Sequence, residues 1–230
     1  MKKIAAYAYC TGATARFCIN LSAVALLLTL AGCGVMQAPA RPAVYDFGPG
    51  AMVSAELASA ATAQAARPTA LLLTDVETTP ALDTTAVLFR LTYADAQQLR
   101  PYAQARWSMP PAQLLRQRLR ETLGQQRHVL SPGEGVAAGQ GSVTLRIALE
   151  EFSQLFESES ASVGLVRLRA TLSQSAAGSA DRLLAQRSFV VQRPSSTADA
   201  TGGVRALTAA ADGAIAELAA WVQQNPYALK

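Results

Sequence analysis

Cys33 closes the run Leu30, Ala31, Gly32, Cys33, and its thiol is the most informative reactive group in the sequence. A thiol in that setting is a nucleophile that can accept a diacylglycerol, and the small residues before it let a peptidase reach the backbone. Upstream stand Lys2 and Lys3, a polar stretch with Arg16, and the apolar run "INLSAVALLLTLAG". A basic start, an apolar middle and a small-residue end form the layout of a secretory signal. Ile19 to Gly32 is fourteen residues, at most ~21 Å of helix at 1.5 Å per residue. That is too short for a hydrocarbon core of ~30 Å. The run resembles a bacterial lipobox, with cleavage expected between Gly32 and Cys33 and the acylated cysteine as the first residue left.

Other groups point away from catalysis. His128 is the only histidine, so a His-based metal cluster cannot form and a Ser/His/Asp triad would depend on that one residue. In "RHVL", after a helix, it reads as structural or surface-exposed. Glu150 and Glu151 are neighbours, and along a strand neighbours face opposite ways, which does not suit paired acid/base work. "GEGVAAGQG" lacks the Lys-Ser/Thr of a phosphate loop, and "ESES" reads as a solvated turn. The sequence therefore predicts no catalytic group, no metal and no cofactor beyond lipid on Cys33. Arg106 and Trp107, in "YAQARWSMPP", are the side chains best suited to a partner contact, because Trp and Arg are enriched in interface hot spots. The competing reading has Trp107 cap the core and Arg106 act as an anchor.

Charge narrows the partners. Lys2, Lys3 and Arg16 leave with residues 1–32, which hold no acid, so seventeen basic side chains face sixteen acidic ones in the mature chain. Near-neutral charge without a Lys/Arg cluster excludes the footprint of nucleic-acid binding. Cys10 and Cys18 also leave, so no disulfide can form within the mature chain.

What must position Arg106 and Trp107 is one domain. Residues 33–42 read as the lipidated cysteine and a tether, residues 43–230 as the domain, and the Ala-rich stretch 51–67 as an insertion or linker. "AVYDFG" predicts a short strand with Val44, Tyr45 and Phe47, "ALLLTDVE" a covered strand, and "AVLFRLTY" a half-buried strand with Val87, Phe89, Leu91 and Tyr93 on one face. "QLRPYAQARW" predicts a short strand that Pro101 confines to an edge. In "SMPPAQLLRQRLRETLG" Ser108 is the expected N-cap, Gly124 the stop, and Leu115, Leu119 and Leu123 the core stripe. "HVL" predicts a brief strand. Val143, Leu145, Ile147 and Leu149 alternate until the phase slips to Phe152, which predicts a bulge near Glu150. "SVGLVRLRATLSQ" and "RLLAQRSFVVQR" complete an antiparallel meander. A last helix buries Val204, Leu207, Ala211, Ile215, Leu218 and Val222. The expected fold is α/β: a single domain, a mixed β-sheet with an antiparallel C-terminal meander, and two main amphipathic helices.

The order of these motifs resembles the ABC-type transport auxiliary lipoproteins. "YDFGP" matches that family's opening segment. Pro80, Leu82 and Asp83, then Arg90, Tyr102, Arg106, Trp107 and the helix start Pro110, Pro111, Leu114, Leu115, Leu119 follow in the family's order. The Ala-rich stretch departs from more compact members. The resemblance implies a non-enzymatic outer-membrane lipoprotein facing the periplasm, anchored in the inner leaflet. Gly34, not Asp, after the cysteine fits that sorting. It also implies an MCE-type lipid-binding protein with its ABC permease and ATPase as partners, phospholipid movement between the two membranes as the process, and self-association into a ring. The alternative is another envelope-assembly lipoprotein, such as a partner in lipopolysaccharide delivery; a lipid-anchored hydrolase fits less well.

Overall fold

The computed structural model describes residues 41–50, 70–134, 143–174 and 181–225. Gly32, Cys33, the tether and the Ala-rich stretch 51–67 lie outside the described residues. Strands β1 (Ala43–Tyr45), β2 (Leu71–Thr78), β3 (Ala86–Leu91), β4 (Asp95–Trp107), β5 (Val129–Leu130), β6 (Val143–Phe156), β7 (Ser162–Gln174) and β8 (Arg182–Pro194) form one mixed sheet, with helices α1 (Pro111–Gly124) and α2 (Ala200–Gln224). The expected class holds.

The central strand is β6. Its alternating Val143, Leu145, Ile147 and Leu149 are buried, and the ladder to β7 shifts register between Leu149 and Glu151, where the apolar phase slips. β7 and β8 extend the sheet on one side as an antiparallel meander. On the other side β2 and β3 lie end to end, both parallel to β6. In the next row β5 pairs with the start of β2 and β4 with β3, and β1 adds parallel to the end of β4.

Both helices cover one face, α2 across β7 and β8, α1 over β2, and they touch each other. The six residues expected on the buried face of α2 all lie in the core, as do Leu115, Leu119 and Leu123 of α1. The approach of α2 is close enough to need a glycine on the sheet. At Gly164 an added Cβ would stand 2.5 Å from the backbone nitrogen of Leu207 and 2.6 Å from the carbonyl carbon of Ala206.

Three local expectations need correction. Ser108 does not cap α1; Pro110 holds that place without a side-chain bond. Ser108 N–H instead donates to Tyr45 C=O at 2.7 Å, and Pro111 at the first helical position has no N–H to satisfy. The cap of α2 is Asp199, whose Oδ1 accepts from Gly202 N–H at 2.7 Å. β3 ends at Leu91, and Tyr93 sits in the turn, 49% exposed. Thr92 donates both its N–H and its hydroxyl to Phe156 C=O, at 3.0 and 2.6 Å, which terminates the strand. β4 is thirteen residues long, not short. Pro101 pairs with Leu88, and β1 reaches only Ala105 to Trp107, so the proline does stand where the far edge of β4 carries no described strand.

Candidate functional site

The corner between β4 and α1 carries Arg106 and Trp107. Alternation along β4 turns Ala105 and Trp107 inward and Arg106 outward. Trp107 N–H donates to Thr85 C=O at 2.7 Å, so together with the Ser108 bond the corner is tied to both neighbouring strands. Pro110 and Pro111 then fix the backbone into the helix.

The pair divides. Trp107 is 2% exposed and packs edge-on against Phe47 (5.7 Å) and at 69° to Phe152 (5.6 Å), while Phe47 and Phe152 stack at 6.0 Å. Its ring offers no surface to a partner, and its Nε1–H finds no acceptor among the described residues. Arg106 is exposed and stands in register with Val44, itself 66% exposed. The two make a small amphipathic patch.

Phe47 belongs to a strap that follows β1, and Arg118 of α1 holds it. Arg118 Nη2 donates to the carbonyls of Phe47 at 2.5 Å and Gly48 at 3.0 Å, and Nε stands 3.6 Å from Asp212 Oδ1 of α2. Burial pushes the Asp212 carboxyl above its usual range, and Arg118 opposes that shift. Gly50, at φ +72°, presses on the guanidinium so closely that any Cβ would overlap Nη1. Sequence reading passed over Arg118. Its spacing was a usable signal, because Leu114, Leu115, Arg118 and Leu119 fall in one apolar stripe.

The remaining candidates are scattered. Glu151 pairs with Arg90 at 3.2 Å and Glu150 with Arg169 at 2.7 Å, two separate ion pairs. His128 is exposed, and its carbonyl accepts from Leu71 N–H at 2.9 Å. Residues 157–161 turn on themselves through Ser158 Oγ, which accepts from Ser160 N–H and Ala161 N–H. Glu134 accepts from Ser131 N–H and pairs with Arg120 at 2.9 Å; those bonds hold its carboxyl below the usual range. Residues 135–142 of that loop lie outside the described residues. Among the described residues no three His, Cys, Asp or Glu side chains gather as metal ligands, and no helix is long and apolar enough to cross a membrane.

One polar cluster is buried. Tyr102 hydroxyl donates to Gln154 Oε1 at 2.8 Å, and Gln154 Nε2 donates to Ser162 Oγ at 2.8 Å. Burial first, and Asp199 second, push the Tyr102 phenol up to about 12. It is a neutral donor that holds β4 to β6.

The corner, the strap and the buried network tie β1, β4, β6 and α1 to one another. Residues 54–219 match the family of the ABC-type transport auxiliary lipoprotein component. The chain belongs to this family. Two solved structures share the fold. A Xanthomonas campestris protein has 22% identity over 69% of this chain and 88% of its own, with a TM-score of 0.57. An uncharacterised protein has 14% identity over 79% of this chain and 99% of its own, also at 0.57. No curated protein matches the chain. As a family member, this auxiliary lipoprotein has an accessory role in ABC-type transport and a place at a membrane of the cell envelope.

Proposed function

We propose that this auxiliary lipoprotein is anchored by lipid on Cys33 in the inner leaflet of the outer membrane, faces the periplasm, and assists an MCE-type ABC system that moves phospholipid between the membranes. The family match over residues 54–219 carries the reading. The lipobox at Leu30 to Cys33 and Gly34 after it support the placement. The partners are the MCE lipid-binding protein and its permease and ATPase, and the role is binding, without catalysis, metal or cofactor. At ~0.8 kcal/mol per buried methylene, two or more acyl chains give a stable anchor where one is marginal.

The test is affinity purification of the full-length lipoprotein from detergent-solubilised envelopes. Recovery of an MCE protein with its permease and ATPase is expected. Recovery of a lipopolysaccharide-delivery complex in their place overturns the reading. In the same cells Cys33→Ser should leave the outer-membrane fraction and lose acyl mass.

A further inference from the structure

The row of the sheet beside β2 and β3 is interrupted. β5 covers Leu71 and Leu72, and β4 reaches only as far as Thr85 and Ala86. Among the described residues no strand faces Leu73 to Thr78 on the side away from β6. That stretch is about 20 Å of backbone at ~3.3 Å per residue. Among the described residues its outward edge has no strand partner between two strands that occupy the same row, and an open edge is a template for a further strand.

The gap opens into a cleft of about 650 Å³ under α1, within the ~300–1,000 Å³ range of ligand-binding sites. Val76, Met109 and Ala112 supply its apolar surface, and the exposed Gln113 and Gln117 line the helix wall. A strand edge beside a helix is the arrangement by which domains capture an extended peptide: main-chain bonds hold it, and alternate side chains fill pockets. Met109 comes from the loop that follows the corner, between Trp107 and the start of α1.

The charges set the occupant's chemistry. Arg116 Nε stands 3.1 Å from Asp75 Oδ1, in ion-pair contact but off the line of a hydrogen bond, and Arg120 is held by Glu134 and Ser131. Asp83 is exposed and forms no ion pair among the described residues, which leaves the lining with uncompensated negative charge at that end. The chain's own segment 51–69 has a single basic residue, Arg67, four residues before Leu71. Four residues reach at most ~14 Å, whereas β2 alone carries the chain ~23 Å toward Asp83. That segment cannot bring its cation to the acid.

The geometry points to this cleft as the dock for an extended segment of a partner protein, about six residues long, added as a strand along Leu73 to Thr78. It places an apolar side chain against Val76, Met109 and Ala112 and a basic one at Asp83. The proposal rests on the accessory role above and names the surface that performs it.

The experiment places photoreactive benzoylphenylalanine at Gln113 of the full-length lipoprotein in its own bacterium and maps the cross-linked residues. A synthetic peptide of the mapped segment is then titrated onto the purified protein. The expected result is a cross-link to an extended, basic-containing segment of another polypeptide. Its peptide should protect the amides of β2 from hydrogen exchange and bind at least about tenfold more weakly to Gln113→Trp, about 1.4 kcal/mol. Gln113→Trp fills the cleft from an exposed helix position and should melt like the wild type. Cross-links confined to this chain or to a second copy, or none at all, overturn the proposal. So does a peptide whose affinity Gln113→Trp leaves unchanged. If the mapped segment belongs to the MCE complex and that complex co-purifies equally with wild type and Gln113→Trp, the dock fails while the functional reading stands. If the mapped segment belongs to no ABC system, the dock stands and the functional reading falls.

Discussion

The two sides of β6 are built differently. β7 follows β6 through thirteen residue pairs with one register shift, and β8 follows β7 almost as evenly. On the other side two collinear strands share the edge, β3 and β4 shift register twice within six residues, and among the described residues the next row is broken. The strap with its two left-handed glycines, the buried Arg118 and the corner all lie in that irregular half. The two long ladders, each with a single register shift, and the α2 face give the first side its cohesion. The regular half is held by long ladders and a covering helix, the irregular half by single bonds and a buried aromatic cluster.

The comparison breaks most readily at Gly164. Gly164→Ala adds one methyl against the backbone of α2, which cannot turn aside as a side chain can. Losing the seat of α2 should cost about 4 kcal/mol or more, a large part of the roughly 5–15 kcal/mol that holds a domain together. Circular dichroism and soluble yield should report a protein that fails to fold. A variant that melts within a few degrees of the wild type would show that the regular half is not the rigid element.

Trp107→Ala comes next. It empties the space among Phe47, Phe152 and the start of α1, and should cost about 3–5 kcal/mol. Denaturant unfolding measures this. A loss under about 1 kcal/mol would mean that the corner is not part of the core.

What could be read in advance follows the same division. The period-two pattern of β6 and β7 and the leucine stripe of α1 are local in sequence, so the meander, the bulge near Glu150 and both helices were legible. The irregular half depends on contacts between distant residues. Arg118 meets the carbonyls of Phe47 and Gly48 some seventy residues away, and no window of sequence holds both. Ser108 looked like a cap because Ser is a good one; that its N–H would bond Tyr45 depends on the pairing of β1 with β4. The gap beside β2 is invisible for the same reason. Residue type puts Arg106 and Trp107 forward both as a contact pair and as a core cap with its anchor; the burial of Trp107 decides for the core at that residue, and Arg106 faces the other way.

A third effect is confined to alkaline pH. The Tyr102 phenol is pushed up to about 12 from 10.0 by burial, so the folded state holds its proton more tightly than the unfolded chain. Stability from this group is fully present below pH 10 and falls as the pH rises from about 10 to about 12. Tyr102→Phe should flatten that alkaline decline in melting temperature. It should also cost about 1–3 kcal/mol at neutral pH, because Gln154 Oε1 loses its donor in a buried site. An unchanged alkaline limb would mean that another group titrates there.

The smallest effect on the fold is expected where the binding reading is strongest. Arg106 is exposed, forms no hydrogen bond or ion pair with the described residues, and points away from the ring of Trp107. Arg106→Ala should therefore change unfolding free energy by no more than about 0.5 kcal/mol. If the patch it forms with Val44 touches the partner, the same change should reduce partner recovery from solubilised envelopes several-fold, since Arg truncations at interfaces carry large costs when their surroundings are desolvated. The two readouts separate the alternatives. Lost stability with normal capture makes Arg106 a structural anchor, as its neighbour is. Normal stability with normal capture removes the corner from the interface and leaves the cleft beside β2 as the surface to probe.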